Sequence, residues 1–279
     1  MKWTIAYDAG CDRRNPQPTE DCEVQLIPLK ILLGEQEVLD DGSRTMEEVQ
    51  ALLDGSKCKT GTACPSVGDW QRVMEAGEQV IAITISGAVS GSYQSACIAR
   101  SMVLEEHPEK KIFVFDSISG SGVMEFMVRR TERLIREGAS FEEVCADLEG
   151  CRGDYEVFFL LQNVDNIMSN GRLNPIVGRA VKALRLGLLA SVSPQGTLQV
   201  ISKVRGFEKA MDQSLAQCEK RNCTPRKILI SHCLNLAGAE KLRDKFLARF
   251  PDAEAEIIPI APLCGYYAEK GGLIIALEK

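Results

Sequence analysis

The stretch VIAITISGAVSGSYQSA, Val80 to Ala96, decides the reading of the fold. Its first six residues, Val80 to Ile85, are largely apolar and rich in β-branched side chains, as expected of a strand buried on both faces. The run breaks at Ser86-Gly87, passes through Ser90-Gly91-Ser92 and gives way to a helix. Buried strand, small-residue loop and helix together make the unit of a parallel sheet whose crossovers cover both of its faces. Such sheets bind ligands at the carboxyl ends of their strands. The same layout recurs at FDSISGSG, Phe115 to Gly122, after a strand over Ile112 to Phe115. Two more buried strands read at Trp3 to Tyr7 and, as one run, at Val24 to Leu33, each followed by a helical pattern. Helices open at the capping boxes Thr45 with Glu48 and Ser140 with Glu143, where side chains satisfy free N–H groups of the first turn.

Around Gly150 to Asp154 the sequence turns small and polar. Beyond it, strand-like segments at Val157 to Leu161, Leu198 to Val204, Ile228 to Ile230 and Glu256 to Ile260 are joined less regularly. Helical patterns cover Phe207 to Lys220 and Ala237 to Phe250, and the apolar run Leu273 to Leu277 closes the chain. The expectation is an α/β protein of two domains. Residues 1–152 form a parallel sheet flanked by helices, and residues 153–279 a mixed α+β domain, a division that suits a chain of 279 residues.

Composition excludes several functions. With 39 acidic against 33 basic side chains the net charge is -6, which leaves no basic surface to neutralise phosphates, so nucleic acid is not an expected partner. The 11 cysteines are scattered and odd in number, and no two form a C-x-x-C pair, so zinc and redox motifs lose their support. Asp8 and Asp12 interrupt any signal-peptide core, and no run approaches the roughly 18 apolar residues of a membrane span. A cytoplasmic protein with reduced thiols and no stable membrane insertion is the reading.

Two further loops, IAYDAGCD at Ile5 to Asp12 and TGTACPS at Thr60 to Ser66, also gather small residues and hydroxyls past apolar runs. Exposed backbone N–H groups, a helix dipole and hydroxyl donors suit an anion, either a carboxylate or a phosphate. No Lys-Ser/Thr follows a glycine run, and Gly87 to Gly91 does not complete a dinucleotide fingerprint. The only histidines are His107, beside a proline in a charged stretch, and His232, at a strand end next to Ser231, so a Ser-His-Asp triad is hard to assemble. No catalytic residue, metal-ligand set or cofactor is expected.

In chain order, Asp8 to Asp12, Ile27-Pro28-Leu29, the T-x-x-P-S of Thr62 to Ser66, Thr84 to Ala96, Phe115 to Ser117, Asn170 to Leu173 (NGRL) and Lys203 to Gly206 (KVRG) resemble the DegV family over nearly the whole chain. The resemblance implies a two-domain α/β protein that holds a fatty acid between its domains. It also implies that a fatty acid kinase B-type carrier presents the carboxylate to an ATP-dependent kinase subunit, which makes the acyl phosphate. Thr62 falls at the family's carboxylate-binding threonine and Ser86 at the first of its paired serines. Departures are Gly87 for the second serine, Ala63 for the serine after the threonine, and Tyr267 for the histidine. A phenol donates a hydrogen bond as imidazole does, but stays neutral near pH 7.

The expected ligand-binding set is therefore Thr62, Ala63, Ser86, Gly87, Ser90 and Tyr267, with Arg172, Lys203 and Arg205 as a positive rim for the kinase or a phosphate. Phe126, Met127, Ile167, Val177, Leu184, Leu188 and Leu189 are candidates to line the tail. Burying roughly fourteen methylenes at about 0.8 kcal/mol each contributes about 11 kcal/mol, comparable to the roughly 4–15 kcal/mol lost on association. The tail then supplies the affinity and the head-group hydrogen bonds the orientation. The rival reading is a phosphotransfer or hydrolytic enzyme acting on a small phosphorylated metabolite in the same loops. Thr62→Val is expected to weaken lipid binding by about 1–3 kcal/mol with the fold intact, because one carboxylate lone pair loses its donor. Titrating delipidated wild type and variant with a fatty acid measures this, and equal affinities would remove Thr62 from the site.

Overall fold

The computed structural model describes residues 2–19 and 22–279. In its first half β1 (Trp3–Asp8) and β2 (Cys22–Ile27) pair in parallel, and β3 (Lys30–Leu33) and β4 (Gln36–Leu39) form a hairpin. After α1 (Met46–Gly55), strand β5 (Thr60–Ala63) joins β3 to complete a small antiparallel sheet. There follow α2 (Val67–Ala76), β6 (Gln79–Thr84), α3 (Ser92–Glu106), β7 (Lys111–Asp116), α4 (Gly122–Arg136) and α5 (Phe141–Gly150). The main sheet of this half has the order β2-β1-β6-β7 and is parallel throughout. Helices α2 and α3 cover one face around Trp70, Met74 and Ala96, and α4 and α5 cover the other.

A 3-10 turn at Cys151–Asp154 leads into β8 (Tyr155–Leu161), α6 (Asp165–Ser169), α7 (Pro175–Ala183), β9 (Gly187–Val192), β10 (Leu198–Val204) and α8 (Phe207–Lys220). The chain ends with β11 (Lys227–His232), α9 (Leu236–Arg249), β12 (Glu254–Pro259), α10 (Pro262–Ala268) and β13 (Leu273–Glu278). The second sheet has the order β10-β9-β8-β13-β11-β12, antiparallel except for the β11–β12 pair. Helices α8 and α9 pack on one face around Phe158, Phe246 and Ile275.

Both expected capping boxes are present. A third stands at Ser66 with Asp69, where aspartate does the work of the glutamate that defines the usual motif. Three expectations need correction. Val24 to Leu33 is two strands in two sheets, because Pro28 has no N–H to continue a ladder and the chain turns there. No helix stands between β1 and β2 among the described residues, nor between β2 and β3. Strand β9 holds Leu188 and Leu189, whose apolar run belongs to a sheet interior.

Helix α4 is the layer between the two large sheets. Its first residue, Gly122, lies so near the second sheet that a Cβ there would stand 2.9 Å from Ala276 Cβ and 3.0 Å from Leu229 Cδ2. Ala276 sits in the interior strand β13 and has no flexible end to move aside. Gly122→Ala is therefore expected to destabilise the fold by about 1–3 kcal/mol, despite a helix-propensity gain of at most about 1 kcal/mol. Urea unfolding measures the change.

Candidate functional site

The loops after β6 and β7, the end of β5 and the open face of the second sheet enclose a cavity of about 360 Å³ between the two halves. That size lies within the roughly 300–1,000 Å³ of small-molecule sites. Most of the wall is apolar. Leu29, Ile85 and Val89 come from the first half, and Phe159, Leu161 and Ile274 from the second sheet.

Polar groups collect where β5 meets α10. Thr62 Oγ1 and the Tyr267 hydroxyl share a hydrogen bond of 2.6 Å. Either oxygen can be the donor, and whichever accepts keeps its own proton to offer a ligand. Burial pushes the Tyr267 phenol up from its ordinary value, so it stays a neutral donor. The Arg172 guanidinium lies over the Tyr267 ring, 5.9 Å from its centroid. It is held by Nε donating to Val89 O at 3.0 Å and Nη1 donating to Asn170 O. Arg172 is the only charged side chain lining the cavity, and no carboxylate pairs with it among the described residues. Beside it, Tyr266 accepts or donates 2.9 Å bonds with Thr60 and accepts from Asn170, which fixes the helix that carries Tyr267.

The expected site residues are sorted by this geometry. Thr62, Ala63, Ser86, Ser90, Arg172 and Tyr267 all line the cavity. Gly87 does not: it is exposed, and its N–H donates to Asp116 at 3.2 Å, so its amide is already engaged outside the cavity wall. The Ser86 hydroxyl donates to Gly196 O at 2.9 Å and clasps the β9–β10 turn. Lys203 and Arg205 are exposed on and just beyond the edge strand β10, outside the cavity wall, so they form no common rim with Arg172 there. Of the tail candidates, Ile167 reaches the cavity. Phe126 and Met127 are buried in α4, Leu188 and Leu189 fill β9, Val177 is half-buried, and Leu184 is 58% exposed at the end of α7. Ser231 and His232 do not form a nucleophile–base pair. The serine donates to Asp12 at 2.6 Å, while His232 Nδ1 accepts from Asn235 N–H.

Sequence reasoning missed the sheet wall of Phe159, Leu161 and Ile274, because alternation along a strand names a face but not what it meets. It also left Asp8 without a role. This fully buried carboxylate accepts from Gly10 N, Ile85 N and Ser92 Oγ, at 2.9, 3.0 and 2.5 Å, and so fixes the loop that begins the cavity.

Two sheets of an α/β protein flanking an apolar cavity, with a cation and neutral donors at one end, offer chemistry that suits an amphipathic anion. The chain belongs to the DegV family: the model of that family, described as an uncharacterised protein, matches residues 2–279. A DegV domain-containing protein of Streptococcus gordonii is 32% identical over 279 residues, covering 100% of this chain and 99% of that one. The fatty acid kinase B3 protein of Streptococcus pneumoniae, solved loaded with linoleic acid, superposes with a TM-score of 0.95 at 33% identity, covering 100% of this chain and 99% of that one. A DegV family protein of Eubacterium eligens loaded with heptadecanoic acid gives 0.92 at 29% identity, covering 99% of each.

Burial is the main reason the Asp8 carboxyl is pushed up to about 6, with its three hydrogen bonds opposing the shift. The folded protein thus binds this proton more tightly than the unfolded chain does. The group's contribution to stability is full below about pH 4 and is lost as pH rises through about 6. Asp8→Asn should remove this fall, and the difference between the two unfolding free energies across that window, measured in urea, checks it.

Proposed function

We propose that this protein binds a long-chain fatty acid in the cavity between its halves and presents the carboxylate to an ATP-dependent fatty acid kinase subunit. The observation that carries the reading is Arg172, a guanidinium with no carboxylate partner among the described residues, facing an otherwise uncharged, mostly apolar cavity. A partly buried cation without a counter-charge keeps part of its desolvation cost, and an anionic head with an apolar tail supplies both the charge and the remaining burial. The Thr62–Tyr267 pair offers one further O–H, polarised by the bond within the pair. The fatty acids named with the pneumococcal and Eubacterium relatives support the same ligand class.

On this reading the chain is a carrier, and phosphoryl transfer belongs to the partner. Lys203 and Arg205, exposed on the β10 edge, are the groups left for that partner or its phosphates. Native mass spectrometry of freshly purified protein should show a retained acyl chain. Arg172→Gln should then lower fatty acid affinity about 10- to 150-fold, as loss of a hydrogen bond to a charged group does. Protein that emerges empty and turns over a phosphate ester would support the enzyme reading instead.

A further inference from the structure

Six hydroxyl-bearing residues line the acyl cavity, and the hydroxyls of five have partners. Thr62 and Tyr267 hold each other, Ser86 donates to Gly196 O, Ser90 accepts from Ser92 N at 3.3 Å, and Ser121 donates to Asp12. Ser119 alone has none: its Oγ is buried without a hydrogen-bond partner among the described residues. Its backbone leaves it little freedom. Ser119 O accepts from Ser86 N at 2.8 Å and Ser117 Oγ at 3.0 Å, and Ser119 N donates to Ser117 Oγ at 3.1 Å. Ile118 just before it and Ser121 two residues after it have φ of 53° and 54°, in the left-handed region that non-glycine residues seldom adopt.

A second cavity, of about 450 Å³, adjoins the first, and among the described residues only Ser119 and Val192 line both. None of Thr62, Arg172 and Tyr267 borders it, so the partition lies away from the head-group end. Beyond the partition the second cavity is more polar, with Ser193, Gln199, Arg152 and Arg221 in its wall. Ser119 Oγ is itself closed off from both spaces as it stands, and a turn of its side chain would bring it to the wall of the acyl cavity.

We infer that the ligand of this cavity is a fatty acid carrying a hydroxyl group on its chain, which Ser119 recognises at the partition. The inference rests on the fatty-acid reading above and narrows it to an oxygenated acyl class. A plain chain lying over Ser119 leaves that hydroxyl unpaired. A chain hydroxyl completes it, since rotation about the serine Cα–Cβ bond turns Oγ toward either cavity and a hydroxyl both donates and accepts. Sites with a buried hydrogen-bonding group discriminate strongly against ligands that lack its partner.

The test is competitive binding of stearic acid and of its 10-, 12- and 18-hydroxy derivatives to delipidated full-length protein, followed by isothermal titration. At least one hydroxy acid should bind about tenfold more tightly than stearic acid. Ser119→Ala should collapse that ratio to about one and bind stearic acid at least as well as wild type, since no hydroxyl is then left unpaired. Stearic acid binding with no hydroxy acid preferred, or a preference that survives Ser119→Ala, overturns the inference and leaves the fatty-acid reading standing. If none of the four acids binds, both fall.

Discussion

One buried carboxylate holds the two halves of this protein in register. Asp12 accepts from the Ser121 hydroxyl at the start of α4, the Ser231 hydroxyl of β11 at 2.6 Å and Ala261 N–H before α10 at 3.2 Å. A carboxylate removed from water costs several kcal/mol unless its lone pairs are met, and these three donors meet them only when the halves sit together. The neighbouring Asp40 repeats the device. It takes Arg14 from its own half in a two-pronged ion pair and Leu263 N–H from the other at 2.8 Å. Ser86 reaching Gly196 adds a third tie across the same seam. The cavity is the space these fixed surfaces leave unfilled.

Much of this architecture was legible because local rules and the global fold agree. The strands at Trp3, Val80 and Ile112 are buried on both faces and bounded by turn residues, so a run of apolar side chains was enough to find them. The capping boxes at Thr45 and Ser140 fixed helix starts by a mechanism. What escaped were elements whose identity depends on a distant partner. Strands β3, β4 and β5 have four residues each, too few for a period to register, and become a sheet only because α1 and α10 cover them around Val49 and Tyr266. Strand β9 carries no alternation because both of its faces are covered.

The site was half legible for a related reason. Thr62, Ser90, Arg172 and Tyr267 were reached through motif position, and the structure gathers them along one cavity wall. Gly87 was given a role on the strength of a free amide, yet that amide is already engaged by Asp116, a residue 29 positions on. Hydrogen-bond partners at such separations cannot be read from spacing. The orphaned oxygen of Ser119 is invisible for the same reason: whether a serine in a loop is satisfied depends on every surface around it.

Tyrosine at position 267 has a consequence that reaches beyond geometry. Where the family pattern places an imidazole, whose charge changes near neutrality, this chain has a phenol whose proton burial holds still more firmly. The other donor is a guanidinium, a permanent cation. The donor end of the cavity therefore keeps one electrical state through the physiological range. On the proposed reading the charge of the guest, and not that of these two donors, sets how hard it is held.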